Sequence, residues 1–81
     1  MQLKDTVQLM LSEDYKDRFK AEYHQTRIRF VKLKKLLIQY KAESLDFEPS
    51  CSVEILEEQA NNMESYLMSL EKRAATEGIA L

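Results

Sequence analysis

Between Phe19 and Tyr40 the apolar positions fall at Phe19, Tyr23, Thr26, Phe30, Leu33, Leu37 and Tyr40, in steps of four and three. A repeat averaging 3.5 residues keeps one stripe of a helix turned toward a partner, so this stretch predicts a long helix with a heptad seam. A second seam, Leu56, Ala60, Met63, Leu67, Leu70 and Ala74, repeats the rhythm. Two helices with matching seams and a short link make an antiparallel hairpin. Ala60 and Ala74 leave room in it for Phe30, Phe19 or Tyr40.

The flanking residues set the boundaries. Leu3, Val7, Met10 and Leu11 lie roughly on one side of a short helix over 3–11, too short to hold without a docking surface. Ser12, followed by Glu13 and Asp14, reads as the cap of the first long helix, 13–41. Residues 42–51 hold the only Pro and a cluster of Ser, Asp and Glu; they form the connection, with Leu45 and Phe47 folding back over the end of the core. The second long helix takes 52–77 and stops at Gly78. The chain thus reads as one all-α domain over 1–81, a two-helix hairpin with a short extra N-terminal helix. Ile28, Val31 and Ile38 lie away from the first seam, and chains of 81 residues often gain stability by oligomerising, so a homo-oligomer is expected.

Charge changes the picture. The net charge is only −2, yet Arg18, Lys20, Arg27, Arg29, Lys32, Lys34, Lys35 and Lys41 are opposed within the first seam's stretch by Glu22 alone. After Ala42 the acids face just Lys72 and Arg73. The plain explanation is that the basic helix pairs with the acidic one across the hairpin. The balance argues against a general nucleic-acid binder, and no DNA partner is expected. No apolar run is long enough to span a bilayer and no signal-peptide pattern opens the chain, which predicts a soluble, cytoplasmic protein with no membrane partner. A single Cys and a single His allow neither an intramolecular disulfide nor a Cys/His metal cluster, so no metal and no cofactor is expected.

Beside the first seam, Tyr15, Arg18, Glu22, Gln25, Arg29, Lys32 and Leu36 form a polar ridge. On the second helix Gln59, Tyr66 and Arg73 recur every seven residues. Cations, aromatic rings and an amide at fixed spacing suit a ligand carrying phosphates and bases. The plainer alternative has Glu22 bridging Arg18 or Arg29 with the remainder solvated. Tyr23 and Tyr40 read as core residues with hydroxyls at the rim. His24 sits opposite the seam with no nucleophile or acid arranged around it, Cys51 has no partner base, and there is no Gly-rich phosphate loop, so an enzyme is not expected.

The motif Arg18-x-x-x-Glu22 with Arg29-x-x-Lys32-Leu33-x-x-Leu36, and on the second helix Gln59-x-x-x-Met63-x-x-Tyr66-x-x-x-Leu70-x-x-Arg73, resembles a family of small helical-hairpin proteins of crAss-like phages that includes the anti-CBASS cyclic-oligonucleotide sponges. The resemblance covers about Tyr15 to Ala74; Thr26 stands where members usually show Leu, and residues 3–11 extend beyond the shared pattern. It implies a homohexamer that binds cyclic dinucleotides such as cGAMP between subunits, some members also taking cyclic trinucleotides at separate sites, and that withdraws the messenger uncleaved in the cytoplasm of the infected bacterium. Lys32 would then meet the phosphates with Tyr15 stacking on a base, and Arg73 would serve the trinucleotide site. The candidate ligand-binding set is Tyr15, Arg18, Arg29, Lys32, Tyr66 and Arg73. The alternatives are a structural or adaptor hairpin that binds a protein partner and, less favoured by the acidic second helix, a single-stranded nucleic-acid binder.

Overall fold

Asp14 starts the longest helix. In the computed structural model, which describes residues 1–81, its carboxylate accepts a 2.9 Å hydrogen bond from the Lys16 amide, and helix α2 then runs over Tyr15–Lys41. The cap is therefore Asp14, where the sequence pointed to Ser12. Ser12 is engaged otherwise: its hydroxyl donates to Asp17 at 2.8 Å and accepts from the Asp14 amide at 3.0 Å, holding the chain extended just before the helix.

Helix α3 spans Val53–Glu77, capped by Ser52 through the Ile55 amide at 3.3 Å. At its far end Gly78 adopts φ 70°, and the Ile79 amide reaches back to the Ala74 carbonyl at 2.9 Å. That closure turns Ile79 into the core, a contact typical of such C-terminal motifs. Helix α2 ends in the same geometry without glycine: Glu43 holds φ 57° while the Glu43 and Ser44 amides close on Tyr40 and Gln39. Left-handed backbone costs a residue with a Cβ about 1 kcal/mol, and Glu43 bears it.

Three cross-links order α2 against α3: Tyr15 with Glu77, Tyr23 with Glu71 and Lys41 with Glu57. One index falls as the other rises, so the helices are antiparallel. Both seams face inward, but the core is concentrated at the end away from the connection. Phe19, Tyr23, Leu67, Leu70, Ala74 and Ile79 form one buried cluster with Phe30 packed against it. Ala74 is the small residue that leaves room beside Phe19. Toward the connection only Leu37 and Ala60 are buried. Tyr40, read from its seam position as a core residue, is 44 % exposed, and Phe47, 56 % exposed, does not fold back over the core end; Leu45 and Pro49 are half-buried there.

The N-terminal segment is a 3-10 turn over Leu3–Thr6 leading into the single α turn of α1, Val7–Met10. It docks on the face of α2 opposite the seam. Thr6 is fully buried; its hydroxyl donates to the Leu3 carbonyl at 2.7 Å and accepts from the Gln25 amide at 2.9 Å. Ala21, off the seam, is buried beneath this segment's side of the helix. No strand is present, and no helix is long and apolar enough to cross a membrane.

Candidate functional site

The ridge residues divide into two groups by what they touch. At the open end of the hairpin, Tyr15 and Arg73 meet. The Arg73 guanidinium donates to the Tyr15 hydroxyl at 2.7 Å and to Glu77 at 3.3 Å, and the Tyr15 hydroxyl donates to Glu77 at 2.9 Å. The same guanidinium lies 4.9 Å from the centre of the Phe19 ring, where the ring's quadrupole attracts it. The Glu77 hydrogen bond holds the Tyr15 phenol above its ordinary pKa. Burial pulls the Arg73 guanidinium down, but Glu77 and Tyr15 more than offset this, and it stays charged. Tyr15 and Arg73 were assigned to different ligands on sequence, yet in one chain they are neighbours closed into a triangle by an acid that sequence reasoning did not single out. Glu77 was detectable: Arg73 and Glu77 stand in the i, i+4 relation that pairs side chains on a helix.

Arg18 is also engaged, donating to the Ser12 carbonyl at 2.9 Å across the capping turn. Tyr23 is buried, and its hydroxyl bonds Glu71 at 2.6 Å; that bond, with desolvation, raises the phenol's pKa. Thr26 turns its hydroxyl back to the Glu22 carbonyl at 2.9 Å, which satisfies a polar atom at a seam position.

The second group is free. Arg29 and Lys32 are exposed and enter no ion pair, and Glu22 bridges neither Arg18 nor Arg29. Lys41–Glu57 at 3.3 Å is the sole ion pair between the basic and acidic helices. The pairing proposed from charge asymmetry is thus mostly absent: of the cations of α2 only Lys41 reaches a carboxylate of α3, and the heptad seam that faces α3 is apolar. Tyr66, 44 % exposed, lies with Ile55, Glu58, Gln59, Asn62 and Met63 along a shallow groove on α3. The groove holds two residues of the 59–66 half of the motif besides Tyr66 itself, and its amides and ring offer hydrogen bonds and a stacking face.

Distance separates these groups. Tyr15 and Lys32 are seventeen residues apart on one straight helix, about 25 Å at 1.5 Å per residue, so within one chain they cannot grip the same small ligand. Cys51 is exposed and free, and no group of three or more His, Cys, Asp or Glu side chains converges to hold a metal.

What the arrangement offers is a basic, partly aromatic surface along α2. Neither a curated protein nor a solved structure matches the chain. A family model described as Sequestin matches residues 13–76, from the capping turn of α2 to the last turn of α3. That span takes in both long helices and both halves of the basic-aromatic motif and leaves out the docked N-terminal segment: the chain belongs to the Sequestin family.

Proposed function

We propose that this protein binds cyclic oligonucleotide second messengers, cyclic dinucleotides such as cGAMP first and cyclic trinucleotides as a second class, and sequesters them without breaking a bond, as a phage protein that disarms CBASS defence in the host cytoplasm. The observation that carries the reading is the uncompensated charge of α2: Arg29 and Lys32 stand without a carboxylate partner on a helix whose acidic neighbour is close at hand. A phosphodiester supplies the missing charge through charge-assisted hydrogen bonds. Membership of a family named for sequestration supports binding over catalysis.

In this reading the protein works as a homo-oligomer, a hexamer by the resemblance. The 25 Å between Tyr15 and Lys32 then has a reason: a ligand seated between subunits takes Lys32 from one chain and Tyr15 from another, and a two-fold contact presents each group twice to a nearly two-fold cyclic dinucleotide. Arg29 and Arg18 extend the cationic rim, and Arg73 and Tyr66 serve the second ligand class. Titration calorimetry with a panel of cyclic di- and trinucleotides, followed by heat release and recovery of the ligand, tests this. Tight binding with intact ligand recovered is expected; degraded ligand, or no heat with any of the panel, refutes it.

A protein-binding hairpin is the second reading. It is favoured by Val31, Ile38, Ile55 and Met68, all more than half exposed. Its signature is a stable oligomer indifferent to every cyclic nucleotide.

A further inference from the structure

The N-terminal segment, outside the family-matched residues, walls in part of α2. Met1 closes one side of a pocket of about 380 Å³ whose other lining residues are His24, Arg27, Ile28, Val31 and Lys32. Three of the six, His24, Arg27 and Lys32, have side-chain nitrogen groups that can be cationic and none carries a carboxylate. Arg27 and Lys32 make no ion pair, and Arg27 leans toward the hydroxyl of Tyr23, which itself donates to Glu71 of α3 outside the pocket. His24 is half-buried, its ring edge-on to Tyr23 at 5.3 Å. Ile28 and Val31 make the floor apolar. Like charges gathered in a concavity without an acid repel one another, and the field they sum to attracts an anion.

We propose that this pocket binds the phosphoryl group of an organic phosphate: Arg27 and Lys32 grip its oxygens, His24 donates a third hydrogen bond as the imidazolium, and Ile28 and Val31 carry the less polar body. The proposal rests on the sequestration reading for the identity of the natural ligand and adds to it His24, Arg27 and a proton taken from solvent on binding. In the free protein burial pushes the His24 imidazole below its ordinary pKa, and Arg27, Lys20 and the amino terminus push the same way, with no carboxylate among the groups that act on it. It is therefore neutral at pH 7. A bound phosphate reverses the local field and favours the charged form. The complex then has the higher pKa, so affinity is enhanced below the free pKa and the enhancement fades as pH rises through the bound one.

His24 is the only histidine, so its ring C–H resonances report its protonation without ambiguity. The experiment follows them from pH 4.5 to 8.5 in the full chain, free, with inorganic pyrophosphate and with cyclic GMP–AMP. The expected result is a free pKa below 6.5 that rises by at least about one unit with either ligand, equivalent to tenfold tighter binding at low pH. Arg27→Gln, with helicity unchanged by circular dichroism, weakens binding several-fold and shrinks the rise, and His24→Gln removes the pH dependence of affinity. A cyclic dinucleotide that saturates while the His24 curve stays put overturns this pocket and leaves sequestration standing. Pyrophosphate that moves His24 while no cyclic nucleotide binds supports the pocket and refutes sequestration. No movement with either probe overturns the proposal.

Discussion

The two ends of the hairpin are built differently. At the open end every polar group that approaches the core is partnered: Tyr15, Arg73 and Glu77 form a closed triangle, Tyr23 bonds Glu71, and six residues including Leu70 and Ile79 are buried together. From Ile28 toward the connection the core thins to Leu37 and Ala60, while Arg29 and Lys32 stand unpaired and Val31, Ile38 and Phe47 are more than half exposed. A chain this short buries too little to stabilise its whole length, so the core gathers at one end and exposed apolar and cationic side chains are left along the other. Charge on the surface is therefore not equivalent. A ligand that takes Arg73 must compete with Tyr15 and Glu77, whereas Lys32 has no partner to displace.

The largest effect that would sharpen this contrast is Leu70→Ala. Leu70 is 1 % exposed at the centre of the cluster, and its truncation costs about 3 kcal/mol by chemical denaturation, whereas Ile38→Ser changes stability by less than about 0.5 kcal/mol and acts on self-association instead. A comparable loss at both positions would break the comparison. Next is Thr6→Val, which leaves the Gln25 amide only the weak Met10 sulfur as acceptor and lowers stability by about 1–2 kcal/mol, with amide exchange accelerated over residues 3–10.

Smaller again is Glu43→Gly. It relieves the left-handed backbone at the end of α2 and raises stability by about 1 kcal/mol, less whatever freedom Gly adds to the unfolded chain, read as a higher denaturation midpoint. The smallest effect concerns pH. Because the His24 pKa is lowered in the folded chain, folding disfavours its protonation; the unliganded protein loses stability as pH falls from the unfolded value near 6.5 through the folded one, and His24→Gln flattens that part of the curve.

The fold was legible because two apolar seams stepping four and three leave few alternatives to a hairpin, and because Ser52 and Gly78 carry standard capping chemistry. The start of α2 was misplaced by two residues since Ser12 and Asp14 are both good caps, and only the contact of Ser12 with Asp17 decides between them. Tyr40 holds a seam position and Phe47 is an apolar residue of the connection, yet both are exposed, because the core has thinned to Leu37 and Ala60 at that end. The site was legible in its parts and not in its grouping. Spacing placed Tyr15, Arg18, Arg29 and Lys32 on one ridge, yet it could not show that Arg18 is drawn to the Ser12 carbonyl or Tyr15 to Arg73, because those partners come from the capping turn and from the other helix. His24 was set aside for want of a nucleophile or acid, and a signal was present: Ala21, His24, Ile28 and Val31 step three and four, a second stripe to which the N-terminal segment could dock.

The central proposal, that the unpaired cations of α2 bind a cyclic dinucleotide, is tested most directly by calorimetric titration of that ligand into Lys32→Ala beside the parent chain at one salt concentration. The account predicts an affinity at least about tenfold weaker, about 1.4 kcal/mol, from a variant whose thermal midpoint is unchanged. Parent-like affinity in Lys32→Ala, or a loss of binding explained by a lowered midpoint, would contradict it.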